Sequence, residues 1–366
     1  MPTNTRESGL ETLIVDWLAT QNGYEQGTNE DYNKEYANDE MRLFRFLWDT
    51  QPESMKRLRV NESELERQKF LSRLSGEIAK RGIIDLLREG IKAYGAVGNL
   101  VMFYETPSDK NPAAKVLFGK NIFSVTRQLQ YSKDNTRLAL DFCVFINGLP
   151  VITCELKNQL TKQDVEDAVY QYKTDRDPKE LLFSFKRCIV HFAVDDARIK
   201  FCTRLAGNAS WFLPFDKGYN DGAGNPPNPE GIMTDYLWKE ILDKYSLANI
   251  IENYAQVVVD ENKKTKRKTE KQIFLRYHQL SVVRSLLADV HTNGVGQKYL
   301  IQHSAGSGKS NSIAWLAHQL VGLEVNGVTA VDSVSVILTG KMLTMCGRRF
   351  NVFRTWFRRI PNIKMP

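Results

Sequence analysis

The chain has 366 residues, 42% of them hydrophobic and 25% charged, which is enough apolar material for two ordinary domains. No run approaches the roughly 18 consecutive apolar residues of a membrane span, and the polar start, Met1 to Gly9, has no apolar signal core, so a cytoplasmic protein is expected. A net charge of +7 favours polyanionic partners, and the scattered Cys143, Cys154, Cys188, Cys202 and Cys346, without CxxC spacing, suit buried free thiols better than disulfides or zinc.

Apolar residues recur at helical spacing over Glu11 to Leu18 and Leu71 to Tyr94, predicting a mostly helical N-terminal layer. From Asn121 the period changes. Val125 to Tyr131, Leu138 to Ile146, Val151 to Leu156, Cys188 to Val194 and Ile199 to Leu205 are short, β-rich segments separated by turn residues, with a helix expected over Asp164 to Lys173. Gly218 to Gly231, dense in Gly, Asn and Pro, reads as an irregular loop. These elements predict a mixed α/β domain over 1–260. A basic, apolar-free linker follows over 261–272.

A second α/β unit is expected over 273–335, with helix Tyr277 to Val290, strand Lys298 to Gln302, a glycine-rich turn and helix Ser310 to Leu323. Residues 336–366 carry no clear periodicity and read as an atypical tail, with truncation and a shifted reading frame as the expectation.

The chemistry concentrates around Asn147-Gly148, a hairpin signal between two apolar strands. A two-residue loop continued in regular register would put Asp141 and Glu155 on opposite faces. A three-residue loop with a bulge at Gly148, pairing Phe145 with Leu149, brings Asp141, Glu155 and Lys157 to one face and leaves Leu138, Leu140, Phe142, Val144, Ile152, Cys154 and Leu156 on the other. The bulged register is therefore expected. Two carboxylates on neighbouring strands suit a hard cation, Mg²⁺ with Mn²⁺ as substitute, and Lys157 would orient a water or stabilise developing charge. A solvent-facing hairpin that happens to carry these residues is the competing reading.

Asp141 followed by Glu155-Leu156-Lys157 after a hairpin resembles the PD-(D/E)xK nuclease superfamily. Gln128-Leu-Gln-Tyr-Ser132, Phe145-Ile-Asn-Gly-Leu-Pro150, Glu155-Leu-Lys-Asn158, Thr203-Arg-Leu-Ala-Gly207, Phe212-Leu-Pro-Phe215 and Gly224-Asn-Pro-Pro-Asn228 resemble the restriction (motor) subunits of type I restriction-modification enzymes over roughly residues 10–335. The resemblance implies a mixed sheet flanked by helices, Mg²⁺-dependent cleavage of double-stranded DNA, and methylation and specificity subunits as partners. It also implies a glutamine on the helix after Lys157, often written QxxxY; Gln171 fits, but position 175 is Asp, leaving Gln171 with Tyr172 adjacent. Glu11 is a candidate upstream acid, against the plainer expectation of a surface glutamate.

Gly306-Ser307-Gly308-Lys309-Ser310 has the character of a phosphate loop. Its backbone N–H groups would close on phosphate oxygens, Lys309 would reach the β and γ phosphates of ATP, and Ser310 would ligate Mg²⁺. His303 stands where the full pattern has glycine. The loop and Arg276-Tyr-His-Gln279 resemble the Walker A and glutamine motifs of superfamily 2 helicases, which implies an incomplete RecA-like domain in which Gln279 reads adenine. After Ser310 the acids are Glu324 and Asp332, not adjacent, so ATP turnover and translocation are expected to be absent. A stand-alone repair nuclease and a catalytically silent docking fragment are the alternative readings.

Overall fold

The computed structural model describes residues 7–93, 96, 98–107, 111–158, 162–261, 266 and 268–336; the atypical tail from residue 337 onward lies outside them. The chain divides into two compact units, residues 1–107 with 111–274, and residues 108–110 with 275–366.

The first unit is built on a seven-stranded mixed sheet. Its N-terminal layer comprises α1 (Glu7–Thr20), β1 (Glu25–Gly27), α2 (Glu40–Thr50) and α3 (Glu64–Arg81). The helical spacing read over Leu71 to Tyr94 is carried by two helices that meet at Gly82, whose φ of 88° is open to glycine at little cost; the second, short helix is Ile83–Glu89. Then come β2 (Phe123–Gln130), β3 (Ala139–Ile146), β4 (Leu149–Leu156), α4 (Val165–Thr174), β5 (Val190–Val194), β6 (Ile199–Cys202) and β7 (Leu213–Pro214). The sheet runs β1-β2-β3-β4-β5-β6-β7, parallel at β1/β2 and β4/β5 and antiparallel elsewhere. Parallel neighbours need a crossover, and the one joining β4 to β5 carries α4. Asp164 caps that helix through a capping box with Asp167.

The β3–β4 hairpin is tighter than expected. Ile146 faces Leu149 across a two-residue Asn147-Gly148 loop, both residues at positive φ (50° and 77°), as a type I′ turn requires. The bulge lies farther along: Phe145 faces Pro150 but Val144 faces Ile152, so Val151 is the extra residue. One inserted residue reverses the alternation, and Asp141, Glu155 and Lys157 share a face as expected, by a different device. Helix α4 covers that face, so Cys143, Phe145, Thr153 and Glu155 are as buried as Phe142, Val144, Ile152 and Cys154 opposite. Each large apolar side chain so enclosed contributes about 1.5–3 kcal/mol.

The hairpin tip is locked to α2. Asp39 N–H donates to the Gly148 carbonyl (2.8 Å), and a Cβ at Gly148 would collide with the Asp39 carbonyl oxygen and the Leu43 amide. Gly148→Ala combines that collision with a left-handed φ. It is expected to destabilise the unit by about 3 kcal/mol or more, read as a lowered urea midpoint with unchanged slope.

The stretch expected as a linker contains part of a second hairpin. β8 (Gln256–Glu261) pairs with β9 (Lys268–Ile273) in continuous antiparallel register, because Val257, Val258 and Val259 favour strand and offer the charged segment a partner. Among the described residues, Cys143, Cys154, Cys188 and Cys202 are free and buried, as expected; Cys346 lies outside them. No described helix is long and apolar enough to cross a membrane.

The second unit contains α5 (Tyr277–Asn293) and α6 (Lys309–Val321). The strand expected over Lys298 to Gln302 does not form. No strand pairs with it among the described residues, and Leu300 is exposed; an isolated β segment gains nothing from its apolar side chains without a neighbour.

Candidate active site

Three adjacent strands bring the polar residues together. Gln128 of β2 and Asp141 of β3 sit between the partnered pairs Arg127–Phe142 and Leu129–Leu140, and Asp141 and Glu155 of β4 follow directly on the partnered Phe142–Cys154. The Asp141 carboxylate accepts the Leu156 N–H at 2.6 Å, a bond that ties the carboxylate-bearing ends of β3 and β4. Glu155 is fully buried, and Lys157, just past the end of β4, is only 8% exposed.

Burial and the nearby Asp141 push the Glu155 carboxyl up to about 8, against the opposing pull of Arg176 and Lys157. Arg176, absent from the expected site, follows α4 and is 5% exposed. Its Nε donates to Glu155 Oε1 at 2.6 Å, Nη2 to the Ala139 carbonyl at 2.8 Å, and Nη1 to the Tyr131 hydroxyl at 3.3 Å. Burial acts against the charge on Arg176, but Glu155 outweighs it and holds the guanidinium above its ordinary pKa. Glu155 Oε2 is buried with no hydrogen-bond partner.

Gln171 lies on α4, and its side-chain carbonyl oxygen is likewise buried without a partner. Tyr172, next to it, shares a 2.9 Å hydrogen bond with Thr153, whose hydroxyl also meets His191 Nδ1 at 2.7 Å. This chain fastens α4 to β4 two residues before Glu155. Burial pushes the His191 imidazole down to about 3. The folded state therefore refuses a proton that the unfolded chain accepts near 6.5. Its contribution is present above pH 6.5 and lost as pH falls towards 3, on the order of 5 kcal/mol in all. Denaturant titrations stepped over that range should show the loss, and His191→Asn should flatten it.

Glu11 is not the surface residue expected. Only 4% exposed, it accepts from Arg127 Nε and from Gln128 Nε2, each at 2.6 Å. Neighbours on a regular strand face opposite ways; a φ of 44° at Gln128 breaks that alternation and lets both reach one carboxylate. Gln128 Nε2 also lies 3.4 Å from Asp141 Oδ1, linking α1 to the acidic pair. In the sequence Gln128 stands out only within the segment Gln128 to Ser132; its place beside Asp141 depends on the fold.

The residues fit a small hard cation. Asp141 and Glu155 supply oxygen donors, one of them buried and unpartnered. The described residues contain no group of three or more His, Cys, Asp or Glu side chains suited to a metal, so a cation at this pair would complete its shell with water or phosphate oxygens, as Mg²⁺ does.

In the second unit, Gly306 and Gly308 take positive φ (76° and 87°), and Gly308 caps α6. Lys309 Nζ donates to the carbonyls of His303 (2.8 Å) and Ser304 (3.2 Å), and Ser307 is largely buried. Ser310 occupies the first turn of α6. Both ends of the Gln279 amide are engaged: Oε1 accepts the Arg276 N–H (2.8 Å), and Nε2 donates to the Gly308 carbonyl (3.1 Å). In this geometry Gln279 braces the loop.

The profile described as type I restriction enzyme R protein N terminus (HSDR_N) matches residues 4–210, more than half of the chain and the whole of the acidic pair's surroundings. The chain belongs to that family. The chain is also 24% identical over 268 residues to the MjaVIIIP endonuclease subunit of a type I restriction enzyme from Methanocaldococcus jannaschii. The match takes in 68% of the chain and 23% of that relative, so the chain spans about a quarter of the relative's length.

Proposed function

We propose that this chain carries the DNA-cleaving site of a type I restriction enzyme on a PD-(D/E)xK fold, with Asp141 and Glu155 holding Mg²⁺. The supporting observation is the unpartnered, buried Glu155 Oε2 on a strand beside Asp141, in a family whose matched region contains both. When bound, Mg²⁺ would acidify a water and neutralise charge on the attacked phosphate. Lys157, on the same face, orients the attacking water or stabilises the charge that grows on the phosphoryl oxygens. Gln171 offers its orphaned carbonyl to a hydrated ligand, and Glu11 acts through Gln128 to fix Asp141.

Double-stranded DNA is the substrate in this reading, with methylation and specificity subunits supplying the target site. The loop at residues 303–310 would receive the phosphates of ATP as the start of a RecA-like motor, with Ser310 on its Mg²⁺ and Lys309 released from the carbonyls it now meets. Gln279 would read adenine only if it gave up its present bonds. In the whole subunit, ATP-driven translocation would bring distant DNA to the nuclease.

Purified protein incubated with plasmid and Mg²⁺, with and without partner subunits and ATP, tests the proposal. Cleavage that requires the partners supports it. Unassisted cleavage abolished by Asp141→Ala identifies a stand-alone repair nuclease instead, and no cleavage under any condition leaves a docking fragment.

A further inference from the structure

We infer that Arg176 sets the metal preference of this site, by occupying one oxygen of Glu155 so that only the other can ligate a cation. The inference rests on the proposed assignment of Asp141 and Glu155 as metal ligands. It goes beyond that assignment in naming what restricts them.

A glutamate can offer a cation one oxygen or both. Ca²⁺, with six to eight ligands at longer distances, readily takes both; Mg²⁺ demands a compact octahedron in which a carboxylate contributes one oxygen and water much of the rest. Whatever fixes Glu155 in one mode therefore biases the site between these ions. Arg176 is built to do so. Three separate acceptors hold its guanidinium: Glu155 Oε1, the Ala139 carbonyl on β3 and the Tyr131 hydroxyl just beyond β2. Its carbon also lies 5.5 Å from the Tyr131 ring centroid. At 5% exposure the side chain is almost entirely shielded from solvent, and leaving Oε1 would strand a buried cation and a buried carboxylate together.

The two oxygens of Glu155 are thus unequal by construction. Oε1 is satisfied by a charge-assisted bond, and Oε2 has none. A lysine could neutralise Glu155 as a point charge but could not grip Ala139 and Tyr131 at the same time, so the fork of Arg176 is required. Arg176 acts through Glu155 and is a positioning residue.

Calorimetric titration of the purified chain with Mg²⁺, Mn²⁺ and Ca²⁺, in wild type, Arg176→Gln and Arg176→Lys, tests the inference without any cleavage assay. Wild type should favour Mg²⁺ and Mn²⁺, and the Ca²⁺-to-Mg²⁺ affinity ratio should rise by about tenfold or more in Arg176→Gln, with Arg176→Lys between the two. An unchanged ratio in folded variants overturns the role of Arg176. Should neither variant fold, a crystal of wild-type protein grown with Mn²⁺ decides. Glu155 bound through Oε2 alone with Arg176 still on Oε1 supports the inference, and a two-oxygen Glu155 or a displaced Arg176 overturns it. Absence of any Asp141-dependent binding of divalent ions to wild type removes the underlying ligand assignment instead, and the inference falls with it.

Discussion

Asp141→Asn is expected to lower Mg²⁺-dependent DNA cleavage by about three orders of magnitude, on the order of 4 kcal/mol of transition-state stabilisation, while leaving the fold intact. The separation of the two effects comes from what Asp141 does. Its carboxylate accepts the Leu156 N–H, and an asparagine carbonyl can keep that bond. What asparagine removes is the negative charge that raises the Glu155 pKa, second only to burial. The apo protein should therefore melt at or slightly above the wild-type temperature while its affinity for Mg²⁺ collapses. Plasmid cleavage with the partner subunits, a thermal melt and a Mg²⁺ titration read the three quantities separately. Wild-type cleavage by the variant would remove Asp141 from the site.

The parts of this site legible in the sequence are those fixed by parity. Asn147-Gly148 points to a hairpin, and the apolar alternation around it favours the register that places Asp141 with Glu155 and Lys157 over the regular one that separates them. Parity does not say where the compensating residue sits. The sequence expectation put it at the turn, but contact of Gly148 with Asp39 and Leu43 of the N-terminal layer accompanies a tight two-residue turn, with the bulge at Val151. That contact spans about a hundred residues and has no local signature.

Arg176 and Glu11 were hidden for a related reason. In Asp175-Arg176-Asp177 an arginine between two acids looks solvated, and only the fold shows it turned inward beneath Glu155. Glu11 lies on an amphipathic helix whose buried stripe is set by Ile14, Val15 and Leu18, and its burial depends on the irregular backbone at Gln128. In the second unit the sequence pattern named helices well, because a helix closes its own hydrogen bonds. It failed at Lys298 to Gln302 because a strand needs a neighbour, which the described residues do not contain.

Mg²⁺ binding to the wild-type chain should weaken by about tenfold for each pH unit below about 8. With its carboxyl pushed up to about 8, Glu155 in the metal-free fold holds a proton that a cation must displace, and each unit of acidity multiplies the competition by ten. Binding at pH 7 should accordingly release most of one proton, measurable as a heat that scales with the ionisation enthalpy of the buffer. The same proton has an opposite signature in stability. A glutamate in the unfolded chain titrates near 4.5, so between 4.5 and 8 the metal-free fold holds more protons than the unfolded chain. This contribution is complete below pH 4.5 and lost as pH rises through 8. Apo protein should therefore become less stable from pH 6 to pH 8.5, and saturating Mg²⁺ should reverse the trend, because the cation replaces the lost proton as the partner of Glu155. In Asp141→Asn the apo slope should move to lower pH, since the charge that raised Glu155 is gone. A Mg²⁺ affinity flat between pH 6 and 8.5 would show that Glu155 enters the site already ionised, with Arg176 having outweighed burial.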